Sequence, residues 1–138
     1  MKLHLGCGNK KIDGFINIDL IKNESVDLVE DITKLESFKE NSVDLIYACH
    51  VLEHIKKDEY KQTLKRWFNL LKPNGLLRLS VPDLKCWFDY YISTNDFRTI
   101  LGALYGKQDN PYNFHYMGWD EKTLYEDLKE SGFVKIQR

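Results

Sequence analysis

The sequence predicts an α/β fold: an open, mostly parallel sheet with flanking helices. Short apolar runs that end in turn residues alternate along the chain with a segment of helical period. A length of 138 residues gives room for one sizeable core, and 43% hydrophobic with 30% charged residues is the balance of a folded globular protein. The chain has no internal repeat and no linker. We therefore expect a single domain over residues 1–138.

The first half of the chain contains four apolar runs that predict strands. They lie at residues 2–5, 15–19, 26–29 and 42–48. A Gly-Cys-Gly-Asn turn ends the first run, and only residues 9–14 separate this turn from the second run. Because a parallel connection normally contains a helix and needs more residues than this, we expect a bare loop as the first crossover.

One apolar stripe in the middle of the chain has helical spacing. It is formed by Tyr60, Leu64, Trp67, Phe68 and Leu71. The helix ends at a Lys-Pro-Asn-Gly turn, and the apolar run at residues 76–81 predicts a fifth strand.

The C-terminal part predicts one more helix and one more strand. Asp120 is a suitable N-cap for a helix that continues through Glu130, and Gly132 is a suitable C-cap. We expect a sixth strand at residues 133–136. It would leave an unpaired sheet edge, which either a second copy of the chain or a missing C-terminal segment would cover. A homodimer is thus one expectation.

Charge and hydropathy exclude several classes of partner. The formal net charge is −1 with both signs mixed along the chain, so the basic footprint of nucleic-acid binding is absent. No apolar run is long enough for a signal peptide or a membrane-spanning helix. We expect no nucleic-acid or membrane partner, and a cytoplasmic location. The three cysteines are widely spaced and odd in number, which favours reduced thiols.

Two kinds of residue at the predicted strand ends point to a ligand site. Gly6 and Gly8 directly follow the first strand and leave the backbone accessible at the edge where open α/β sheets bind ligands. Asp19 and Asp31 follow the second and third strands. An acid after the second strand is placed to accept hydrogen bonds from both hydroxyls of a ribose. Each of these residues alone would also fit an ordinary turn.

Five motifs follow one another along the chain. They are Leu3-His4-Leu5-Gly6-Cys7-Gly8, Ile18-Asp19, Glu30-Asp31-Ile32, the run from Ser42 to His54, and Leu71-Lys72-Pro73-Asn74-Gly75-Leu76-Leu77. In this order they resemble the motifs of class I S-adenosylmethionine-dependent methyltransferases, in particular the small type 11 group. The resemblance covers residues 3–82. It implies S-adenosylmethionine as cofactor and an abbreviated Rossmann-like fold that lacks the first crossover helix and the seventh strand.

The resemblance also implies which residues contact the cofactor. They are Gly6, Cys7, Gly8, Asp19, Asp31, Ile32, Cys49 and His50. The glycine turn would surround the methionine part, and the first acid would bind the ribose. The second acid and the isoleucine after it would meet the adenine at its polar edge and its face. The last two residues would lie beside the sulfonium.

The aromatic-rich segment 84–119 follows the fifth strand, where such methyltransferases build the acceptor pocket. We expect it to be an insertion on the acceptor side that contains a loop without periodicity. Its candidate acceptor contacts are Tyr105, Gln108, Tyr112, His115 and Tyr116. The resembled group is often linked to surface glycans, so the expected acceptor is a small molecule or a sugar-containing compound.

The expected reaction is an in-line displacement in which the protein mainly positions the acceptor and excludes water. An acceptor hydroxyl would need a base. His115 is the first candidate because the ordinary pKa of histidine is near neutrality, and His50 and Asp83 are weaker ones.

Two alternatives stay open. His50-Val51-Leu52-Glu53-His54 fits the H-x-x-E-H pattern of zinc hydrolases, but an apolar strand runs into it, so Glu53 and His54 fit the first turn of a helix better and we expect no metal. The chain could also be a cofactor-binding or partner-binding module without catalytic activity, or a fragment of a larger enzyme.

Overall fold

The computed structural model describes residues 1–138 and contains one parallel sheet of five strands. The strands are β1 (Lys2–Leu5), β2 (Ile16–Asp19), β3 (Leu28–Val29), β4 (Val43–Cys49) and β5 (Leu71–Ser80). Their order is β3-β2-β1-β4-β5. The strands β2 and β3 thus lie on one side of β1, and β4 and β5 lie on the other. The carboxyl ends of β1 and β4 therefore form the topological switch point at which such sheets bind ligands. The predicted open α/β sheet is confirmed.

Four α-helices and one short 3₁₀ turn accompany the sheet. The helices are α1 (Tyr60–Leu70), α2 (Leu84–Thr94), α3 (Phe97–Tyr105) and α4 (Glu121–Glu130), and the 3₁₀ turn is Leu52–His54. No helix combines the length and the apolar character that crossing a bilayer requires.

One face of the sheet carries the hydrophobic core. Leu3 and Leu5 of β1 lie opposite Ile46 and Ala48 of β4 in register, and all four are fully buried. The α1 helix packs its predicted apolar stripe on this face, where Trp67 is fully buried and its indole Nε1–H donates to the Ile32 carbonyl at 2.8 Å. This hydrogen bond satisfies the polar atom that a buried tryptophan brings into a core.

The opposite face lacks the first crossover helix, as the short spacing predicted. The loop between β1 and β2 is held instead by Asn17, whose fully buried side chain accepts from the Ile12 N–H at 2.9 Å and donates to the Ile12 carbonyl at 3.2 Å. His4 pairs with Asn17 in register, and its Nδ1 lies 2.9 Å from the Asn17 Oδ1. The side-chain hydrogen bonds of a buried asparagine thus hold this connection in place, where a helix would otherwise do so.

The predicted turn at residues 72–75 lies inside β5. Val43 pairs with Leu71 and Leu45 pairs with Leu76, so the two strands change register across this segment. Asn74 has a φ of 65°, which marks a local break in the extended backbone. The sequence therefore predicted the backbone break correctly, but the break lies within β5 and does not precede it.

The predicted last helix is present and the predicted sixth strand is not. Asp120 caps α4, and at its other end the Phe133 N–H donates to the Leu128 carbonyl while the Gly132 N–H donates to that of Lys129, a Schellman motif. Residues 133–136 then form no ladder with the sheet. Phe133 packs on Phe68 of α1 with ring centroids 5.3 Å apart. The segment after it lies beside β5 across a groove without pairing with the strand, and Arg138 donates to Asp83 at 3.0 Å.

Candidate active site

The turn after β1 is shaped by two glycines with left-handed backbones. Gly6 has a φ of 61°, and a Cβ there would lie 2.3 Å from a methyl carbon of Val51. Gly8 has a φ of 53°, and a Cβ there would meet no atom within 4 Å. The first glycine is required by the packing of the protein itself. The second leaves free space at the carboxyl edge of the sheet, as a ligand cradle does.

Cys7, between the two glycines, turns its side chain inward. It is 3% exposed, and burial raises the pKa of its thiol. Its Sγ lies 3.7 Å from the Gly8 carbonyl oxygen. A ligand in this turn would therefore contact the backbone of residue 7, in keeping with the cofactor contact that the resemblance implies.

Asp19 ends β2 beside this turn. One oxygen of its carboxylate, Oδ2, accepts from the Gly8 N–H at 2.8 Å, and the other accepts from the Ile21 N–H at 3.0 Å. Each carboxylate oxygen has a further lone pair, and the side chain is partly exposed. Asn23, which the sequence did not single out, donates from its Nδ2 to the Gly8 carbonyl at 3.0 Å. The acid is thus oriented and still able to accept from a ligand.

The predicted adenine contacts follow β3. Asp31 accepts from both the N–H and the hydroxyl of Thr33, which fixes its side chain in a local turn. Ile32 is 8% exposed and belongs to the hydrophobic core. Only a small part of its side chain is available to a ligand, so its contact with adenine stays a prediction.

Cys49 and His50 lie where β4 ends, at the switch point. Cys49 is half-buried. His50 has a left-handed φ of 53°, and its side chain is exposed. Its Nδ1 lies 3.2 Å from the Oε1 of Glu53.

The 3₁₀ turn after β4 buries an acidic side chain. Glu53 is 1% exposed, and its second oxygen, Oε2, has no hydrogen-bond partner. The Glu53 carbonyl accepts from the N–H groups of Tyr116 and Met117 at 2.8 and 3.3 Å. These two bonds bring the end of the acceptor-side loop against the turn at the switch point.

Two histidines meet at this junction. His54 and His115 have ring centroids 4.8 Å apart in an edge-on arrangement. The Nδ1 of His54 lies 3.0 Å from the Phe114 carbonyl, and the Nδ1 of His115 lies 2.8 Å from that of Ala103. Burial lowers the pKa of His54, while the charge of Glu53 acts in the opposite direction. Sequence reasoning selected His115 and passed over Glu53 and His54 as site residues.

The H-x-x-E-H alternative requires both of its histidines on one face of a helix. The structure gives residues 52–54 only a 3₁₀ turn and places His50 outside it with a left-handed backbone. His54 contacts His115 of the distant loop. The zinc-hydrolase arrangement of this pattern is therefore not formed.

Asp83, the third candidate base, caps α2. It accepts from the Cys86 N–H at 3.3 Å and from Arg138 at 3.0 Å. Burial raises its pKa, but the hydrogen bonds from Cys86 and the charge of Arg138 outweigh burial and leave the pKa below its usual value. A carboxylate held in this way is a weak proton acceptor.

The other predicted acceptor contacts lie along a closed loop. The His115 N–H donates to the Tyr105 carbonyl at 3.2 Å at the base, and the Gln108 N–H donates to the Asn113 carbonyl at 2.9 Å near the tip. The Tyr105, Tyr112 and Tyr116 rings are about half exposed. The structure thus brings His115 and Tyr116 to the switch point and leaves Gln108 and Tyr112 at the tip.

Comparison with known proteins agrees with this geometry. A family model described as a methyltransferase domain matches residues 12–79. No curated protein sequence matches the chain.

Solved structures with the same fold include several methyltransferases. An S-adenosylmethionine-dependent methyltransferase from Archaeoglobus fulgidus is 18% identical with a TM-score of 0.65, covering 97% of this chain and 61% of that chain. The 1,6-didemethyltoxoflavin-N1-methyltransferase of Burkholderia thailandensis, solved with S-adenosylhomocysteine, is 19% identical with a TM-score of 0.65, covering 99% and 61%. Phosphoethanolamine N-methyltransferase 2 of Haemonchus contortus, solved with S-adenosyl-L-methionine, is 21% identical with a TM-score of 0.61, covering 99% and 33%. The chain thus spans less than two thirds of the length of each.

Proposed function

We propose that this chain, whose residues 12–79 match a methyltransferase domain and whose fold is that of solved methyltransferases, binds S-adenosylmethionine and transfers the methyl group to a small-molecule acceptor. The observation that carries the proposal is the pair formed by Gly8 and Asp19. The glycine leaves open space at the switch point, and the acid is oriented by the Gly8 N–H with lone pairs to spare. This arrangement fits a ligand that has a ribose and a chain passing close to the backbone.

The cofactor contacts that we propose are those of the turn and the strand ends. When bound, S-adenosylmethionine supplies an activated methyl group with its own leaving group. Asp19 accepts hydrogen bonds from the ribose hydroxyls, and Asp31 faces the adenine. The turn of Gly6, Cys7 and Gly8 surrounds the methionine part through backbone groups. Cys49 ends β4 at the switch point and His50 follows it, so the two would lie beside the methyl group.

We propose that residues 84–119 form the acceptor side and that the acceptor is a sugar-containing compound with a reactive hydroxyl. The exposed rings of Tyr105, Tyr112 and Tyr116 offer apolar surface with a polar tip, which suits a polar ring compound. The backbone bonds from Tyr116 and Met117 to Glu53 fix the base of this loop against the switch point. The protein would thereby hold the acceptor oxygen in line with the methyl carbon.

His115 is the proposed base for that hydroxyl. Because a carbonyl oxygen only accepts, the bond to Ala103 places the proton on Nδ1 and leaves Nε2 free to take another. The Nε2 of His115 would take the hydroxyl proton as the acceptor oxygen receives the methyl group that bound S-adenosylmethionine would supply, with S-adenosylhomocysteine as the leaving group. His50 is a second candidate, and the contacts of Asp83 make it the weakest of the three.

The experiment that tests the proposal is calorimetric titration with S-adenosylhomocysteine and S-adenosylmethionine. We expect both to bind. Asp19→Ala should weaken binding by about 1–3 kcal/mol, because it leaves two ribose hydroxyls unpaired. Asp13→Ala is the matched control, since Asp13 is an exposed acid in the neighbouring loop. Equal affinity for the wild type and Asp19→Ala would refute the assigned role.

Turnover is measured as acceptor-dependent release of S-adenosylhomocysteine over a panel of hydroxyl compounds that includes glycosides. We expect His115→Ala to bind cofactor normally and to lose turnover. Full turnover in that variant would remove His115 from the mechanism. Binding without turnover on any acceptor would favour the cofactor-binding module. We further propose a cytoplasmic location, which suits three free cysteines, and a homodimer, which suits the unpaired edge of β5.

A further inference from the structure

We propose that Glu53, His54 and His115 form a binding site for a divalent transition-metal ion such as Zn²⁺. One ligand atom from each of the three side chains lies within 4.8 Å of the other two. Two imidazole nitrogens and one carboxylate oxygen are the donors that such ions prefer. The three residues come from two distant segments, the turn after β4 and the loop after α3, so no short sequence motif contains them.

Both histidines are oriented for metal binding by a second bond. The Nδ1 of His54 lies 3.0 Å from the Phe114 carbonyl and the Nδ1 of His115 lies 2.8 Å from the Ala103 carbonyl. Because carbonyl oxygens accept, each Nδ1 carries the proton and each Nε2 presents a lone pair. Metal-binding histidines typically have this outer hydrogen bond, which fixes the tautomer and the direction of the ring.

The carboxylate supplies the independent observation. Glu53 is 1% exposed, and its Oε2 has no hydrogen-bond partner. A buried carboxylate oxygen without a partner is costly. The Oε1 is already occupied by His50 at 3.2 Å, so the free oxygen is the one available to a cation. A divalent ion between Oε2 and the two imidazoles would satisfy this atom.

The site differs from the H-x-x-E-H zinc pattern. In that pattern the two histidines of the motif bind the metal and the glutamate is a base. Here Glu53 is itself a ligand, and His115 takes the place of His50. Three protein ligands leave a coordination position open, as in catalytic zinc sites. That position would hold the acceptor hydroxyl and lower its pKa, so that its proton could pass to His50. This role depends on the proposed methyl transfer, whereas metal binding does not.

Metal binding would occupy the Nε2 of His115 that a base needs. With the ion bound, His115 is a ligand and the second candidate base, His50, takes the acceptor's proton; without the ion, the Nε2 of His115 is free to act as the base. If the metal site is correct, a chelator should remove turnover in the wild type, and added Zn²⁺ should restore it. If His115 acts only as a base, turnover should be insensitive to the chelator.

The direct test uses the full chain, freed of metal with a chelator and titrated with Zn²⁺ and Co²⁺ in the absence of cofactor. We expect one equivalent of Zn²⁺ to bind and Co²⁺ to give visible absorption bands. His115→Asn keeps an N–H for the Ala103 carbonyl but loses Nε2, and it should weaken Zn²⁺ binding at least about tenfold. Glu53→Gln is the second variant and should weaken binding similarly.

Cys86→Ala is the control, because Cys86 is an exposed thiol that could bind Zn²⁺ adventitiously. It should leave the stoichiometry and the affinity unchanged. Circular dichroism checks that each variant is folded. A folded wild type that binds no Zn²⁺, or equal affinity in the wild type and His115→Asn, would overturn the metal site. Because cofactor is absent from the titration, this result is independent of whether S-adenosylmethionine binds.

Discussion

Gly6 and Gly8 have nearly the same left-handed backbone but different surroundings. A Cβ on Gly6 would overlap Val51, which is buried in the core, whereas a Cβ on Gly8 would project into open space. Overpacking of a core typically costs about 1–3 kcal/mol. We therefore expect Gly6→Ala to lower the free energy of unfolding by about this amount, in addition to about 1–2 kcal/mol for the left-handed backbone, measured by urea denaturation.

Gly8→Ala is the matched comparison for Gly6→Ala. It should cost only the left-handed backbone penalty of about 1–2 kcal/mol, but its methyl group would fill the proposed ligand space. We expect its affinity for S-adenosylhomocysteine to fall by more than the fraction of unfolded protein can explain. A Gly8→Ala protein with unchanged affinity would show that this space does not receive the cofactor.

Single residues differ in how well the sequence predicts them. The place of Asp19 at the end of the second strand was predictable from the apolar run before it, and the structure puts its carboxylate beside the glycine turn. Its contact with a ribose stays a prediction. The role of Glu53 was not predictable, because it depends on the burial of the side chain and on its contact with His115, 62 positions further along the chain. The signal available in the sequence was an acid beside a histidine directly after a buried strand.

The first crossover shows how one element can be replaced by polar contacts. Asp27 accepts from the Lys11 ammonium at 2.6 Å and from the backbone and side-chain N–H groups of Asn17 at 3.0 and 2.8 Å. These hydrogen bonds hold the pKa of Asp27 well below its usual range, and the bond from Lys11 has the largest effect. The carboxylate thereby fastens the loop that has no helix to the start of β2.

Acid should weaken this connection. Because the folded pKa of Asp27 lies below the unfolded value of about 4, its stabilisation is fully present above that value and is lost as the pH falls toward the folded pKa. We expect the free energy of unfolding to fall between about pH 5 and about pH 2.5. Asp27→Asn should be less stable at neutral pH and should show a shallower dependence.

The measurement is urea unfolding of the wild type, Asp27→Asn and Asp13→Asn at several pH values. Asp13→Asn is the control, since Asp13 is an exposed acid in the loop between β1 and β2. It should keep the wild-type dependence. A wild type and an Asp27→Asn protein with the same slope would show that Asp27 does not link the loop to folding.

The strands of the sheet were predictable and the end of the chain was not. Buried parallel strands appear as short apolar runs between turn residues, and all five such runs before residue 82 form strands. Residues 133–136 have the same local character but no partner at hydrogen-bonding distance. Phe133 packs on α1, and Lys135 has a left-handed φ of 55° that interrupts an extended backbone. Tertiary packing therefore overrides the local preference of residues 133–136 for a strand.

The whole molecule has an edge that its own chain does not pair. The strand β5 spans ten residues and is the last in the sheet order, and it is hydrogen-bonded on one side only, to β4. Leu76 on this strand is 49% exposed. Long edge strands with apolar side chains tend to pair with another strand. Two copies related by a twofold axis could join their β5 edges into one continuous sheet.

We expect light scattering coupled to size exclusion to give the mass of two chains at high protein concentration. Leu76→Lys should shift the protein to a monomer, because a charge on an edge strand opposes pairing. Leu20→Lys is the control, since Leu20 is 43% exposed but lies after β2, away from this edge. It should remain dimeric. A wild-type monomer at every concentration would show that the β5 edge stays unpaired. Equal dimerisation of both variants would show that the dimer forms elsewhere.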